Sequence, residues 1–224
     1  EGRAEFNEPL AAPEEPDGRT LGSSILFRVR DAGRTVPFTP PSWAHRFELD
    51  DLPHRPLEGF PRAGFWWIEY GGELDTIADG EAIRDRLLAY VLGVWDLIKN
   101  RSDLNADHYV LDWVGAVPGK RESRRFLGDT ILTESDLLEA TPFRDAVAYG
   151  GWPMDEHVAG GFRAKGQIPS VVRSFEGLFS IPYGCYCSKT IRNMMMAGRN
   201  ISATKLAMGA TRVMGTCAVG GEAA

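Results

Sequence analysis

The chain has 224 residues, which is enough for one large domain or for a domain and a half. Hydrophobic residues make up 43% and charged residues 25%, and the formal net charge of −6, with no dominant basic run, argues against a nucleic-acid partner. No apolar run reaches the roughly 18 residues of a membrane span and no signal peptide is visible, so we expect a soluble protein with no membrane partner.

The first third of the chain predicts an extended segment followed by β structure. Residues 1–20 are polar and contain three prolines, which favours an extended N-terminal segment. Leu21–Arg30 alternates like a strand, and a turn leads from it into Thr35–Phe38, which predicts a β-hairpin. Prolines break any helix between Ser42 and Arg62, whereas the aromatic and β-branched run Phe65–Tyr70 predicts a strand.

The clearest helix signal covers about Gly80–Asn100. Asp79 is a plausible N-cap, and Lys99 and Arg101 suit the negative end of the helix dipole. Apolar residues recur every three to four positions and form one stripe: Ile83, Leu87, Leu88, Val91, Leu92, Trp95 and Ile98. This pattern predicts a scaffold helix with no chemistry of its own.

The middle of the chain predicts further strands and one short helix. The strand candidates are Tyr109–Val117, Phe126–Leu132 and Ala146–Tyr149, and Thr133 is placed to cap a short helix over Thr133–Ala140. Several strands around one long helix predict an α+β fold with a mixed, mostly antiparallel sheet.

The last predicted structure is a strand, a loop and a helix. Three methionines, Met194–Met196, run into Ala197-Gly198, as a buried strand does where the backbone approaches another group closely. Gly209 then opens an apolar segment that predicts a helix through about Val219. Such a helix start presents unpaired backbone amides to an anion or an electron-rich ring. An ordinary strand–loop–helix corner is the alternative interpretation.

This terminal stretch resembles the closing segment of FAD-dependent oxidoreductases. The matching residues are Asn193–Ser202, Gly209–Met214 and Thr216–Ala218, with Ile181–Tyr183 upstream. In that family the segment returns to the nucleotide-binding domain and closes over the ribityl chain and the isoalloxazine ring. The resemblance therefore implies an FAD cofactor contacted by Gly198, Arg199, Asn200, Gly209, Ala210 and Thr211, with the amides of Ala210 and Thr211 facing the pyrimidine edge.

The resemblance also implies a domain organisation. Residues 21–165 would form the substrate (cap) domain, and residues 166–224 would complete an FAD-binding domain of the glutathione-reductase or p-hydroxybenzoate-hydroxylase type. The sequence contains no G-x-G-x-x-G after a strand, which is the motif that holds the FAD pyrophosphate. We therefore expect the dinucleotide-binding segment to be a missing N-terminal partner, and this chain alone to bind FAD poorly and to be inactive.

The run Lys120–Arg125 places four cations and one carboxylate in six residues directly after a predicted strand. A solvated turn with internal ion pairs is the alternative interpretation. The run also matches a recurrent feature of the same family. This resemblance implies a substrate pocket in which Arg121 and Arg124 are catalytic and Glu122 and Ser123 bind the substrate, with an arginine holding an anionic group or the reduced flavin.

A second cluster, Gly150–His157, groups an aromatic ring, carboxylates and an imidazole after a strand end. His157 is the candidate catalytic base, removing a proton while hydride leaves the substrate for the flavin, and Trp152 and Asp155 are candidate substrate contacts. A solvated or capping histidine is the alternative. Asp155 and His157 supply two metal ligands without an evident third, so we predict no metal site, and a metal-dependent hydrolase is a third possibility.

Cysteines and tryptophans complete the candidates. Some relatives carry a 4Fe-4S cluster, but Cys185, Cys187 and Cys217 are too few to ligate one, so we expect structural cysteines. An odd set of three without a disulfide framework favours a reducing compartment such as the cytoplasm. Trp43 and Trp152 lie in predicted loops, whereas the core tryptophans are expected to be Trp66 or Trp67 together with Trp95 and Trp113.

The sequence thus predicts part of a flavin-dependent oxidoreductase that transfers hydride from a small organic substrate to FAD. The alternative is a non-catalytic, β-rich module that binds a carbohydrate or a protein through Trp43 and Trp152. The two differ in an easily observed property, since the intact flavoenzyme is yellow and the binding module is colourless.

Overall fold

The computed structural model describes residues 3–10, 14–62 and 64–224. It has mixed α and β structure, with small sheets, antiparallel strand pairs and one long helix. Two compact units are formed by segments that are not consecutive in sequence. Unit 1 comprises residues 1–18, 123–156 and 170–224, and unit 2 comprises residues 19–122 and 157–169.

The described helices and strands have these bounds. The α-helices are α1 (Arg3–Phe6), α2 (Gly80–Arg101), α3 (Glu134–Leu138), α4 (Lys205–Thr211) and α5 (Met214–Ala223). The strands are β1 (Ser23–Ser24), β2 (Phe27–Asp31), β3 (Glu69–Tyr70), β4 (Tyr109–Val114), β5 (Gly119–Lys120), β6 (Ala146–Gly150), β7 (Met154–His157), β8 (Ser170–Arg173) and β9 (Phe179–Pro182). Short 3-10 turns cover Leu49–Asp51, Ala106–His108, Gly161–Arg163 and Tyr183–Cys185.

Unit 2 is built around α2, whose predicted bounds and buried stripe are confirmed. The side chains of Leu87, Val91 and Trp95 are at most 1% exposed because they lie on the stripe that faces the core. Aromatic rings pack against the same face: Phe47 and Phe162 have ring centroids 4.5 Å apart, and Phe162 also contacts Tyr90 and Trp67. Trp113, predicted to be in the core, is instead 51% exposed.

The predicted hairpin in unit 2 is wrong. β2 pairs antiparallel with β4, and Thr35–Phe38 forms no strand. Pro37 removes one backbone donor from that segment, whereas β4 contains no proline and pairs with all of β2, with one irregularity between Arg28 and Val29. The predicted strand Phe65–Tyr70 shortens to β3, which lies beside β1 in a three-stranded sheet of order β3-β1-β5.

Unit 1 contains shorter elements. β6 is confirmed and pairs with β9, and α5 packs against β6. The predicted cap of α3 is also confirmed, since the Thr133 hydroxyl accepts from the Asp136 amide and the Asp136 carboxylate accepts from the Thr133 amide. The predicted strand Phe126–Leu132 is wrong, because this segment makes only isolated bridges, such as Leu132 with Ala203.

The terminal strand and helix differ most from the prediction. Met194–Gly198 is not a strand, and its ladder pairing is one bridge between Met195 and Cys187, after which Gly198 turns the chain with a φ of 97°. The helix does not begin at Gly209. It begins at Lys205, because the Thr204 hydroxyl accepts from the Ala207 amide and caps it, which glycine lacks the side chain to do.

Candidate functional site

His157 and Glu69 form a buried pair in unit 2. The His157 Nδ1 lies 2.6 Å from the Glu69 Oε2, and their side chains are 4% and 3% exposed. Gly22 leaves the room that this carboxylate needs, since a Cβ at Gly22 would lie 2.7 Å from the Glu69 Cγ. A carboxylate on Nδ1 favours the tautomer that carries the proton there and leaves the lone pair on Nε2.

Arg121 approaches the same carboxylate. One of its guanidinium nitrogens lies 3.3 Å from the Glu69 Oε2, and the guanidinium also donates to the Ser24 hydroxyl at 2.9 Å and to the Trp66 carbonyl at 2.9 Å. The Trp66 ring meets the His157 imidazole edge-on, with centroids 5.2 Å apart. Unit 2 therefore joins two of the three predicted catalytic residues, Arg121 and His157, through a carboxylate that our sequence reasoning missed.

Glu69 did leave a signal in the sequence. It is the one charged residue in the aromatic run Phe65–Tyr70, and a carboxylate in a buried strand requires a partner. The Glu69 Oε1 is buried and has no hydrogen-bond partner among the described residues, so only one of its oxygens is used by the contacts above.

The remaining predicted substrate residues have separate surroundings. The Glu122 carboxylate accepts from the Leu21 amide at 2.8 Å within unit 2. In unit 1, Ser123 is half-buried, and Arg124 and Trp152 are exposed. Asp155, also in unit 1, accepts from Arg212 at 2.8 Å and from the Ser170 hydroxyl.

The predicted flavin-facing amides are not at a helix start. Gly209, Ala210 and Thr211 lie in the second half of α4, and all three are buried. A Cβ at Gly209 would lie 3.1 Å from the backbone of Asp155, so the space that this glycine provides is taken by protein. Ala210 and Thr211 therefore do not present unpaired amides, because these positions follow the first helical turn.

Another helix start in the same segment has the expected properties. α5 begins at Met214 after Val213, which makes no side-chain cap, and its first internal hydrogen bond runs from the Cys217 amide to the Val213 carbonyl. The amides of the first turn are thus not used within the helix. Met214 is 89% exposed, and a Cβ at Gly215 would meet nothing within 4 Å.

Arg199 lies within electrostatic range of Cys217, which is in α5. Its charge acts on the Cys217 thiol, opposing the burial that raises the pKa of that thiol. The Arg199 Nε is buried and has no hydrogen-bond partner in the described part of the chain. Gly198, half-buried, and Asn200, whose carbonyl accepts from the Phe126 amide at 3.0 Å, lie on either side of it.

The cysteines have no disulfide partners in the structure. Burial raises the pKa of Cys185 to about 12, so its thiol stays protonated and unreactive at neutral pH. Within residues 3–10, 14–62 and 64–224, no group of three or more histidine, cysteine or acidic side chains is arranged to hold a metal ion.

A family model confirms the resemblance seen in the sequence. The model of the family "FAD dependent oxidoreductase" matches residues 7–224. The chain belongs to the FAD-dependent oxidoreductase family. No curated protein and no solved structure matches it. None of the described helices of this FAD-dependent oxidoreductase family member is long and apolar enough to cross a membrane.

In this FAD-dependent oxidoreductase family member, two groups in unit 1 suit an FAD cofactor. The start of α5, with an open Gly215, and the Arg199 Nε offer hydrogen-bond donors that the described protein does not use. FAD is anionic and rich in acceptor oxygens, so such donors suit it. Gly209, Ala210 and Thr211 are buried in α4 instead, and their contact with FAD stays a prediction.

Proposed function

We propose that this chain belongs to an enzyme that oxidises a small organic substrate by hydride transfer to FAD, with His157 as the base. When bound, FAD supplies the two-electron acceptor. The substrate C–H bond breaks with its electron pair, the proton of the substrate O–H or N–H group passes to the His157 Nε2, and a C=O or C=N bond forms. The buried 2.6 Å contact between the His157 Nδ1 and Glu69 carries this proposal.

Glu69 serves this proton transfer in two ways. Its carboxylate orients the ring by accepting from Nδ1, and its negative charge stabilises the imidazolium that forms when Nε2 takes a proton. Arg121 lies 3.3 Å from the same oxygen and donates to three further acceptors, including the Gly22 carbonyl, so the carboxylate keeps its position as the charge on the ring changes. We therefore assign Arg121 a positioning role.

Unit 1 supplies the proposed cofactor contacts. The first-turn amides of α5 and the guanidinium of Arg199 would donate to the flavin, and Gly198 and Asn200 flank Arg199 in sequence. The positive charge of Arg199 would also attract negative charge on a bound flavin. The substrate-binding roles of Arg124, Ser123 and Trp152 stay predictions from the family resemblance.

The test measures the reduction of flavin in the intact protein under anaerobic conditions. Small alcohols, amines and hydroxy acids are added one at a time, and reduction is monitored as the loss of flavin absorbance. We expect His157→Gln to slow reduction by about 10²- to 10⁴-fold, the usual contribution of a general base. His108→Gln is the matched control, since it makes the same chemical change at an exposed histidine of unit 2.

Two results would contradict the proposal. A His157→Gln variant that reduces flavin at the wild-type rate would remove the base from the mechanism. An intact protein that is colourless and gains no flavin absorbance with added FAD would favour the non-catalytic binding module.

The cofactor contacts have a test of their own. Arg199→Met should lower the flavin content per chain, whereas Arg46→Met, at a side chain 81% exposed in unit 2, should leave the flavin content unchanged.

A further inference from the structure

Arg55 is a fully buried cation that the proposed reaction does not use. It is 1% exposed, and in the described structure no carboxylate lies within ion-pair distance of its guanidinium. Burial lowers the pKa of Arg55, with an opposing contribution from the charge of Glu69. A buried charge is costly unless polar groups surround it, so the partners of Arg55 show what it stabilises.

Those partners are four backbone carbonyls of one short loop in unit 2, residues 161–167. One terminal nitrogen of Arg55 donates to the carbonyls of Gly161 at 2.8 Å and Ala164 at 3.2 Å, and the other donates to those of Lys165 at 3.3 Å and Gln167 at 3.4 Å. The guanidinium carbon also lies 5.6 Å from the centre of the Phe162 ring. Removing Arg55 would leave this loop without its central donor.

The loop held by Arg55 lies directly against the strand that carries Glu69. A Cβ at Gly161 would come within 2.3 Å of the Glu69 carbonyl oxygen, and Gly161 has a φ of 53°, so the backbones touch with no side chain between them. Gly72, just after β3, approaches the Ala159 carbonyl in the same way, at 2.5 Å for its would-be Cβ. His157 precedes this contact by only two residues.

We propose that Arg55 is a positioning residue for the His157–Glu69 pair. By binding four carbonyls of residues 161–167, Arg55 holds the backbone that follows His157 against β3. This contact places the imidazole at hydrogen-bond distance from the Glu69 carboxylate. The proton is thereby kept on Nδ1 and the lone pair on Nε2. This inference rests on the proposed role of His157 as the base, but the experiment below detects the positioning without any turnover.

The experiment is nitrogen NMR of the imidazole rings in protein labelled at its four histidines, with His157→Gln to assign the His157 signals. We expect wild-type His157 to show a protonated Nδ1 and an unprotonated Nε2. Arg55→Met removes the donors and retains an apolar stem, so the His157 signals should move to the average of the two tautomers. Arg55→Lys keeps the charge but not the two terminal nitrogens. Its His157 signals should lie between those of wild type and those of Arg55→Met.

Lys99 offers the matched control. It is also a buried cation in unit 2, 8% exposed, and its ammonium donates to three backbone carbonyls, including those of Ala106 and Tyr109 at 2.8 Å. Lys99→Met should lower the melting temperature of the protein while leaving the His157 tautomer unchanged.

An unchanged His157 tautomer in folded Arg55→Met would overturn the inference. If Arg55→Met does not fold, the same result in Arg55→Lys would overturn it, as would an equal displacement in Lys99→Met. The failure of the proposed function looks different. In that case His157→Gln reduces flavin at the wild-type rate, whereas the His157 NMR signals still differ between wild type and Arg55→Met.

Discussion

Both units bury apolar side chains, but they differ in how local their stabilising contacts are along the chain. In unit 2 a continuous set of buried apolar side chains surrounds one 22-residue helix, α2. In unit 1 the longest described helix is the ten-residue α5, and polar groups far apart in sequence close the structure. There the Glu8 carboxylate accepts from the Glu134 amide at 2.9 Å and from the Thr204 hydroxyl, and Arg212 binds Asp155.

The difference teaches why one unit was easier to predict. An amphipathic helix repeats its signal every three to four residues, so the sequence shows both the helix and its buried face. A contact such as that of Glu8 with Thr204 has no periodicity, because the partners are 196 residues apart along the chain. The following predictions test whether the two units do depend on these different interactions.

The largest effect is expected in the core of unit 2. Trp95 is 1% exposed on the buried face of α2, and Trp95→Ala removes a large ring without a group to fill the space. We expect a loss of about 3–5 kcal/mol in the free energy of unfolding, measured by urea denaturation. A loss below about 1 kcal/mol would show that the apolar core is not what stabilises unit 2.

The next effect is a pH dependence in unit 1. Burial raises the pKa of Cys185 from 9.0 to about 12, so between these values the folded chain keeps a proton that the unfolded chain releases. The unfolded state binds fewer protons there, and stability therefore falls as pH rises from 9 to 12. At about 1.36 kcal/mol per pKa unit this contribution is at most about 4 kcal/mol.

Comparison with Cys185→Ala isolates this contribution. The stability difference between wild type and variant, measured by urea denaturation at several pH values, should shrink or reverse in sign across that window and be constant below it. A difference that does not change with pH would mean that the thiol is not shielded from water.

The smallest of these effects is expected at Glu8. Glu8→Ala leaves the buried Glu134 amide and Thr204 hydroxyl without their acceptor, and we expect a loss of about 2–3 kcal/mol. Glu8→Gln keeps one acceptor oxygen and should lose less. Arg46→Ala, which breaks an exposed ion pair with Glu48, is the control and should change stability by less than about 0.5 kcal/mol. Equal losses in all three variants would remove the polar explanation for unit 1.

Local signals explain what the sequence predicted correctly. The cap of α3 is a local feature, since Thr133 binds the amide of Asp136 three residues away, and β6 ends at two consecutive glycines. The predicted start of the terminal helix at Gly209 is wrong because glycine has no capping side chain, whereas Thr204 supplies a hydroxyl that binds the first turn. The partner of β2 was missed because β4 lies about 80 residues further along, beyond the reach of turn chemistry.

By itself, the sequence determined the family and the long helix, and it named Arg121 and His157 as candidates. Only the tertiary structure decided that Glu69 joins them, since it lies 88 residues before His157 and inside an aromatic strand. Only the structure moved the free helix amides from Gly209 to Met214. The physical reason is common to both: a buried charge or an unpaired amide is defined by what surrounds it in space, and local sequence patterns report only on near neighbours along the chain.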